Sequence, residues 1–182
     1  MEWGGLSVFP VFLWLNWNEM AKFWTRSGED AEQRGKSVTW EELMLRSCKK
    51  RPHYTVVAAV VQCGDEVLCL QKGETKFEYT SFRWEFPGGK IEAGETPQQA
   101  LHRELLEEME YDVSVGDLLC VVEHSYPDFE ITLSAYLCSA GTKSFQLKEH
   151  ADARWLPVAD LKQLAWCAAD EPIVDALQEK NR

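Results

Sequence analysis

A glycine loop followed by a helix crowded with glutamates limits what this chain can fold into more than any other segment. The loop begins at Gly88 and Gly89. Thr96 is a good N-cap, Pro97 suits the first helical position, and Gln99 completes a capping box. The sequence therefore predicts a helix that begins at Pro97. The apolar residues that follow fall close to one helical stripe and are expected to face the core: Ala100, Leu101, Leu105 and Met109.

Three glutamates of this helix are expected on one face. Glu107 and Glu108 follow Glu104 by three and four residues, and a helix turns by about 100° per residue, so the three side chains cover a narrow arc. Like charges crowded in this way repel one another, and folding alone gives no reason to accept that repulsion. A divalent cation supplies the reason, because clustered carboxylate oxygens suit Mg²⁺ or Mn²⁺.

The order of residues in this run resembles the Nudix box. The pattern is a glycine, five residues, a glutamate, seven residues, Arg-Glu-Leu, one residue and Glu-Glu. Its members here are Gly89, Glu95, Arg103, Glu104, Leu105, Glu107 and Glu108. Beyond the box, the resemblance extends from about Tyr54 to Leu177 and is strongest to the MutT-type nucleoside triphosphate pyrophosphohydrolases. It implies the Nudix fold and an enzyme that uses Mg²⁺ to cleave a phosphoanhydride bond.

The resemblance also implies roles for the members of the box. The implied metal ligands on the helix are Glu104, Glu107 and Glu108. The backbone carbonyl of Gly88 can add a ligand, because a glycine loop lets the backbone pass close to the ion. Arg103 carries a rigid fork of donors that can lock neighbouring glutamates in place, and we expect Arg103 and Glu104 to act in catalysis. Glu95 either binds the metal or fixes Arg103.

One position departs from the pattern. The box normally continues with a glycine, where this chain has Glu110. A glycine there ends the helix in a left-handed turn, and a residue with a side chain in that conformation costs roughly 1 kcal/mol. Two outcomes stay open: Glu110 accepts this cost, or the helix runs on a little further.

The general base is expected outside the helix. The resemblance points to the loop after the long hairpin, which reads KEH, and Glu149 matches the acid that deprotonates the attacking water. The alternative is that Glu149 is a solvated loop residue. His150 beside it is a weaker candidate base, and a simple polar role suits it better.

Candidate substrate-binding residues also lie outside the box. In MutT-type proteins a loop before the last helix contacts the base, and this chain has Asp170 there. A carboxylate accepts hydrogen bonds, so Asp170 suits the N–H groups of cytosine, adenine or guanine better than uracil. Asp170 is also a candidate N-cap of the last helix, and both roles can hold together. Lys72 can meet a phosphate or the base, and Phe86 and Phe129 can contact the base. Trp84 either stacks on the base or packs in the core.

The resemblance to MutT-type enzymes, with an aspartate in the loop that contacts the base, implies hydrolysis of a nucleoside triphosphate to the monophosphate and pyrophosphate. The expected substrate is an oxidised purine deoxynucleotide, such as an oxidised dGTP, or a cytidine triphosphate, as in sanitation of the nucleotide pool that supports DNA repair. Other enzymes with the same box cleave ADP-ribose, nucleotide sugars or dinucleoside polyphosphates. A non-catalytic nucleotide sensor is the alternative from another class, although this box keeps every glutamate.

Composition limits the partners and the compartment. The net charge of −11 disfavours binding to a nucleic-acid polymer. The six cysteines include no CxxC pair, so we expect free thiols and a reducing, cytoplasmic setting. The apolar run near the N-terminus is too short to span a bilayer and lacks the basic start and cleavage site of a signal peptide. A monomer and a homodimer both stay open.

The chain is predicted to consist of an N-terminal extension, residues 1–52, and a catalytic domain, residues 53–182. Five of the eight tryptophans lie in the first 40 residues, which marks the change in composition. Helical spacing predicts a short helix around residues 17–24, and a capping box formed by Thr39 and Glu42 predicts a second. These helices pack on the domain or on a partner, or the segment is a loosely ordered extension or an over-long gene model.

The catalytic domain is predicted to be α+β, with a mixed β-sheet sandwiched between helices. Runs rich in apolar and β-branched residues predict strands near residues 55–62, 66–72, 84–86, 118–126, 129–139 and 153–158. Besides the glutamate-rich helix, the patterns predict helices over residues 159–165 and 171–180.

Overall fold

The computed structural model of the protein describes residues 51–182. The two helices predicted in the N-terminal extension lie outside the described residues, and so does Cys48. The division into an extension and a catalytic domain therefore stays a prediction.

The described residues form seven strands and two α-helices. The strands are β1 (His53–Cys63), β2 (Glu66–Gln71), β3 (Trp84–Glu85), β4 (Gly88–Lys90), β5 (Ser114–Ser125), β6 (Glu130–Ser139) and β7 (Asp152–Pro157). The α-helices are α1 (Pro97–Met109) and α2 (Glu171–Lys180), and two short 3-10 helices cover Glu78–Thr80 and Val158–Gln163. The six predicted strands are confirmed, as are the start of α1 and the whole of α2.

All seven strands join one mixed sheet. The order is β3-β2-β1-β6-β5, with β4 paired to β1 and β7 paired to β2. β1 and β6 run parallel, and the other pairs are antiparallel. The predicted α+β class with a mixed sheet is confirmed.

Two hydrophobic cores lie on opposite faces of the sheet. Side chains alternate along a strand, so neighbouring residues of the central strand β1 enter different cores. Val60 belongs to the core that contains Leu177 of α2. Val61 belongs to the core that contains Leu101 and Leu105 of α1. The two helices thus cover the two faces of the sheet, as the sequence predicts.

Two predicted segments differ from the structure. The stretch after Pro87, predicted as a loop, begins with the short strand β4. It can pair closely with β1 because Gly88, at φ +154°, has no Cβ that would collide with the carbonyl oxygen of Val57. The helix predicted over residues 159–165 is the 3-10 helix Val158–Gln163. It buries only Leu161, and so small an apolar contact does not sustain a longer helix.

The end of α1 settles the question of Glu110. This residue adopts the left-handed conformation, with φ 48° and ψ 38°, and the helix stops at Met109. Its backbone N–H donates to the carbonyl of Leu106 at 3.0 Å, and that of Tyr111 donates to Leu105 at 3.2 Å. The alternative that the helix runs on is therefore wrong, and Glu110 accepts the conformational cost.

The remaining composition-based expectations concern thiols and membranes. The described part of the chain contains five cysteines, all free, of which Cys69, Cys138 and Cys167 are buried. Neither α-helix of the described part is long and apolar enough to cross a membrane.

Candidate active site

Arg103 holds the acidic side chains around the start of α1 in place. Its Nε and Nη2 donate to the two carboxylate oxygens of Glu95, at 2.7 and 2.9 Å. Its Nη1 donates to Glu104 at 2.9 Å and to Glu107 at 3.3 Å. Nη2 also donates to the backbone carbonyl of Lys90 at 3.1 Å, which ties the fork to β4. One guanidinium therefore connects the loop, the strand and the helix.

Glu95 is the main partner of this arginine. The hydrogen bonds from Arg103, together with the backbone N–H of Glu92 at 3.0 Å, lower the pKa of Glu95 to about 2. The same bonds raise the pKa of Arg103 further above its ordinary value. Of the two roles expected for Glu95, this geometry matches fixing Arg103. Its role as a metal ligand stays a prediction.

The Glu104 carboxylate packs against a backbone position that only glycine allows. A Cβ on Gly89 would overlap with all three atoms of that carboxylate. Only 14% of the Glu104 side chain is exposed, so the carboxylate is wedged between β4 and Arg103. This contact explains why the box needs a glycine at this spacing from the helix.

Glu108 faces a crowded acidic region. Its pKa is raised to about 7, mainly by burial and also by the nearby charges of Glu104, Glu149 and Glu85, while His150 acts in the opposite direction. A carboxyl surrounded by other carboxylates relaxes its repulsion by binding a proton or a cation. Glu108 is therefore where the described site most needs added positive charge.

The side chains fit a hard divalent cation, although they are not gathered around one point. Among the described residues, no three acidic, histidine or cysteine side chains converge closely enough to hold a metal ion as they stand. Arg103 engages oxygens of both Glu104 and Glu107, and only Glu107 is largely exposed. Three carboxylates on one helix, with raised pKa at Glu108, nevertheless form the oxygen-rich donor set that Mg²⁺ or Mn²⁺ requires.

The loop that carries Glu149 docks on the end of α1. The backbone N–H of Gln146 donates to Met109 at 3.0 Å, and that of Lys148 donates to Glu108 at 3.2 Å. Glu149 is exposed, and its charge acts on Glu108. The structure thus brings the predicted base to the same region as the predicted metal ligands. Its role as the base stays a prediction.

Glu85 is a member of the site that sequence reasoning missed. Its carboxylate pairs with the Lys72 ammonium and lies 3.0 Å from Nε2 of His150. Burial alone would raise its pKa, but the His150 hydrogen bond and the Lys72 charge lower it below its ordinary value. Glu85 lies between Trp84 and Phe86, whose side chains are 4% and 3% exposed. Side chains alternate along a strand, so this position between two apolar residues was the sequence signal that could have pointed to Glu85.

Asp170 is buried beside this strand. It is only 6% exposed, and its Oδ1 accepts a hydrogen bond from the backbone N–H of Phe86 at 3.0 Å. Burial and the charge of Glu85 raise its pKa to about 8. Asp170 occupies the N-cap position of α2, but its side chain makes no capping hydrogen bond. The predicted N-cap position of Asp170 is therefore confirmed, although its carboxylate does not take part in the cap.

The aromatic candidates differ in their surroundings. The Phe86 ring stacks on Trp166, with centroids 4.6 Å apart, and is buried, while the backbone N–H of Phe86 donates to Asp170. The contact of Phe86 with a base stays a prediction. Trp84 is buried too, which matches packing as its role. Phe129 is only half-buried and contacts Tyr126, with centroids 4.8 Å apart. Its contact with a base stays a prediction.

The described domain matches known proteins. The NUDIX domain family model covers residues 51–177. The chain is 37% identical over 94 residues to an 8-oxo-dGTP diphosphatase of Escherichia coli, covering 52% of this chain and 73% of that protein. It is 30% identical over 121 residues to the CTP pyrophosphohydrolase of Escherichia coli, covering 66% of this chain and 88% of that protein. A shorter match to an 8-oxo-dGTP diphosphatase of Proteus vulgaris is 59% identical over 54 residues, or 30% of this chain, and spans about half (48%) of that relative.

A solved structure gives the same fold. The solution structure of the Escherichia coli ORF135 protein has a TM-score of 0.62 and 27% identity, and the match covers 72% of this chain and 92% of that one. Enzymes of the matched family generally use divalent metal ions, which suits the carboxylates of α1. The chain belongs to the NUDIX family, and it is a hydrolase that acts on phosphoanhydride bonds.

Proposed function

We propose that the protein hydrolyses a nucleoside triphosphate to the monophosphate and pyrophosphate, with Mg²⁺ as its cofactor. The observation that carries this proposal is the position of Asp170, whose buried carboxylate is fixed to the backbone of Phe86. Glu85, which precedes Phe86 in the chain, raises the pKa of both Asp170 and Glu108 through its charge. A group suited to a nucleobase and a group suited to a metal therefore flank the same short strand.

Each acidic residue of the site takes one task in this reaction. Glu104, Glu107 and Glu108 would hold the metal, with Glu95 or the Gly88 carbonyl as further candidate ligands. Mg²⁺, when bound, neutralises phosphate charge and lowers the pKa of a coordinated water. Arg103 keeps the glutamates oriented through its four side-chain hydrogen bonds.

Glu149 completes the reaction as general base. It accepts the proton of the attacking water, whose oxygen forms the new bond to phosphorus as the phosphoanhydride bond breaks. Pyrophosphate leaves with the bonding electron pair. The exposed position of Glu149 next to Glu108 suits a general base, which must pass its proton to solvent after each cycle.

The substrate class follows from Asp170 and from the relatives. The two Escherichia coli relatives are named for 8-oxo-dGTP and for CTP. An ionised Asp170 pairs with the N–H groups of guanine, adenine or cytosine, and with its pKa raised to about 8 it also carries a proton to donate at neutral pH. We therefore place an oxidised purine deoxynucleotide or CTP ahead of ADP-ribose, nucleotide sugars and dinucleoside polyphosphates. The physiological role is sanitation of the nucleotide pool.

A panel assay tests this proposal. Pyrophosphate and phosphate release are measured with Mg²⁺ on canonical and oxidised nucleotides, CTP and ADP-ribose. We expect pyrophosphate from an oxidised purine nucleotide or CTP, and loss of that activity in Glu107→Gln and Glu108→Gln. Glu179→Gln, at an exposed position near the end of α2, is the matched control and should retain activity. Full activity in both α1 variants would refute the metal assignment.

A further inference from the structure

His150 is an anchor in an exposed stretch of chain. Residues 146–149 are exposed, whereas the side chain of His150 is only 9% exposed. Its Nε2 lies 3.0 Å from Oε1 of Glu85, a residue 65 positions away. The next residue, Ala151, donates its backbone N–H to Gln71 of β2 at 2.8 Å. The loop therefore enters the sheet at His150.

The proton on this histidine is defined by its surroundings. Glu85 is an acceptor, because its pKa is lowered and its other oxygen pairs with Lys72, so Nε2 of His150 must carry the hydrogen and donate it. Nδ1 is buried and has no hydrogen-bond partner among the described residues. The side chain thus holds the loop through a single hydrogen bond, and removing that bond removes the anchor.

Glu149 has no comparable anchor. Its side chain makes no hydrogen bond within the part of the chain that the structure describes, and the residue is exposed. Its position beside Glu108 therefore depends on the backbone on either side. On one side the N–H of Lys148 donates to the carbonyl of Glu108 at 3.2 Å, and on the other stands His150.

We propose that His150 is a positioning residue, which holds Glu149 beside Glu108 through its hydrogen bond to Glu85. This inference rests on the proposed function, because it takes Glu149 as the base. The same bond links the loop to the Lys72–Glu85 pair, so that Glu149 is placed relative to both the helix and β3. A base must lie within hydrogen-bond reach of the water it deprotonates, and small displacements slow that transfer strongly.

Kinetics with matched variants test the proposal. His150→Ala is expected to lower kcat by about 10- to 100-fold with little change in KM, because the binding residues stay in place while the base moves. His150→Gln, whose amide can still donate to Glu85, should recover part of that loss. His102→Ala, which removes an exposed histidine on α1, is the control and should retain kcat.

A double-mutant cycle separates positioning from a general structural role. Glu149→Gln alone is expected to lower kcat by about 10²-fold or more. Adding His150→Ala to this variant should cause no further loss, because there is no base left to position. A further loss of about 10-fold or more in the double variant, or a rise in KM with kcat unchanged in His150→Ala, would overturn the proposal.

Hydrogen exchange gives a test that does not depend on activity. His150→Ala should speed exchange at the amides of Lys148 and Ala151, His150→Gln should slow it again, and the amides of α1 before Glu104 should not change. Unchanged exchange at Lys148 and Ala151 would refute the anchoring role. If the wild-type protein releases no pyrophosphate from any nucleotide, the proposed function fails, and the exchange result still decides whether His150 anchors the loop.

Discussion

Replacing Gly89 by alanine is expected to damage catalysis far more than folding. In β4, Gly89 pairs with Val57, and Oε2 of Glu104 lies 2.6 Å from the position that a Cβ would take. Ordinary contacts of this kind begin at 3.4 Å, and Cδ and Oε1 of Glu104 lie closer to that position than Oε2 does, so the carboxylate must retreat by about 1 Å. A displacement of about 1 Å at a catalytic group can cost on the order of 100-fold in rate. We therefore expect kcat to fall about 100-fold in Gly89→Ala.

The cost to stability should be smaller, because the obstacle is the flexible end of a side chain. Moving the Glu104 carboxylate sacrifices its 2.9 Å hydrogen bond from Arg103, and a hydrogen bond to a charged group contributes about 1.5–3 kcal/mol. Arg103 keeps both bonds to Glu95, and the alanine restricts the unfolded chain, which returns about 0.4–1 kcal/mol. The free energy of unfolding should therefore fall by about 1–2 kcal/mol, which leaves the protein folded.

Two other glycines provide controls for this prediction. Gly73 has no atom within 4 Å of where a Cβ would be, so Gly73→Ala should leave both kcat and stability close to wild type. Gly88 has the backbone of Val57 in the way, which cannot rotate aside, so Gly88→Ala should destabilise the fold itself. The assays are urea denaturation and pyrophosphate release with saturating Mg²⁺. Wild-type kcat in Gly89→Ala would refute the argument that the wedged Glu104 carboxylate matters.

Two further predictions concern stability. Glu110→Gly should raise the free energy of unfolding by about 1 kcal/mol, because glycine adopts the left-handed conformation without strain and only an exposed ion pair with Lys148 is lost. Glu110→Ala keeps the strain, so it should show no gain in the same urea titration. Because the pKa of Asp170 rises from 3.8 to about 8 on folding, the folded protein keeps a proton that the unfolded chain releases, so stability should fall as the pH rises through that window. Asp170→Asn keeps an acceptor for Phe86 and cannot titrate, so as the pH rises from roughly 4 to 8 its unfolding free energy should fall by about 5 kcal/mol less than that of the wild-type protein; parallel pH profiles of the two proteins would contradict the shift.

The features that could be predicted from the sequence depend on short spacings along the chain. The capping box of Thr96 and Gln99 spans three residues, and the structure shows both of its hydrogen bonds. The stripe of α1 that faces the core follows from a period of 3.6 residues, and all four predicted members are buried. Local geometry decides these features, so local sequence is sufficient to predict them.

The parts of the site that could not be predicted from the sequence depend on contacts between segments that are distant along the chain. Glu85 meets Lys72 and His150 across 13 and 65 residues, and Asp170 meets Phe86 across 84. No periodicity encodes such distances. The sequence correctly placed Asp170 at the N-cap of α2, but it could not show that the carboxylate accepts the buried N–H of Phe86 and not an N–H of its own helix.

The two-residue strand β3 connects Asp170, the candidate base-binding residue, with His150 and the loop that carries Glu149. Its first residue is fixed on both sides, since the N–H of Trp84 donates to Ala165 at 3.0 Å and its carbonyl accepts from Cys167 at 2.7 Å. The Glu85 side chain then points to Lys72 and His150, while the next backbone N–H points to Asp170. In the proposed function, a nucleobase bound at Asp170 would therefore act on the same segment that holds His150 and, through it, the loop of the proposed base. Discrimination between bases should for this reason appear in kcat as well as in KM, because binding and positioning share one strand.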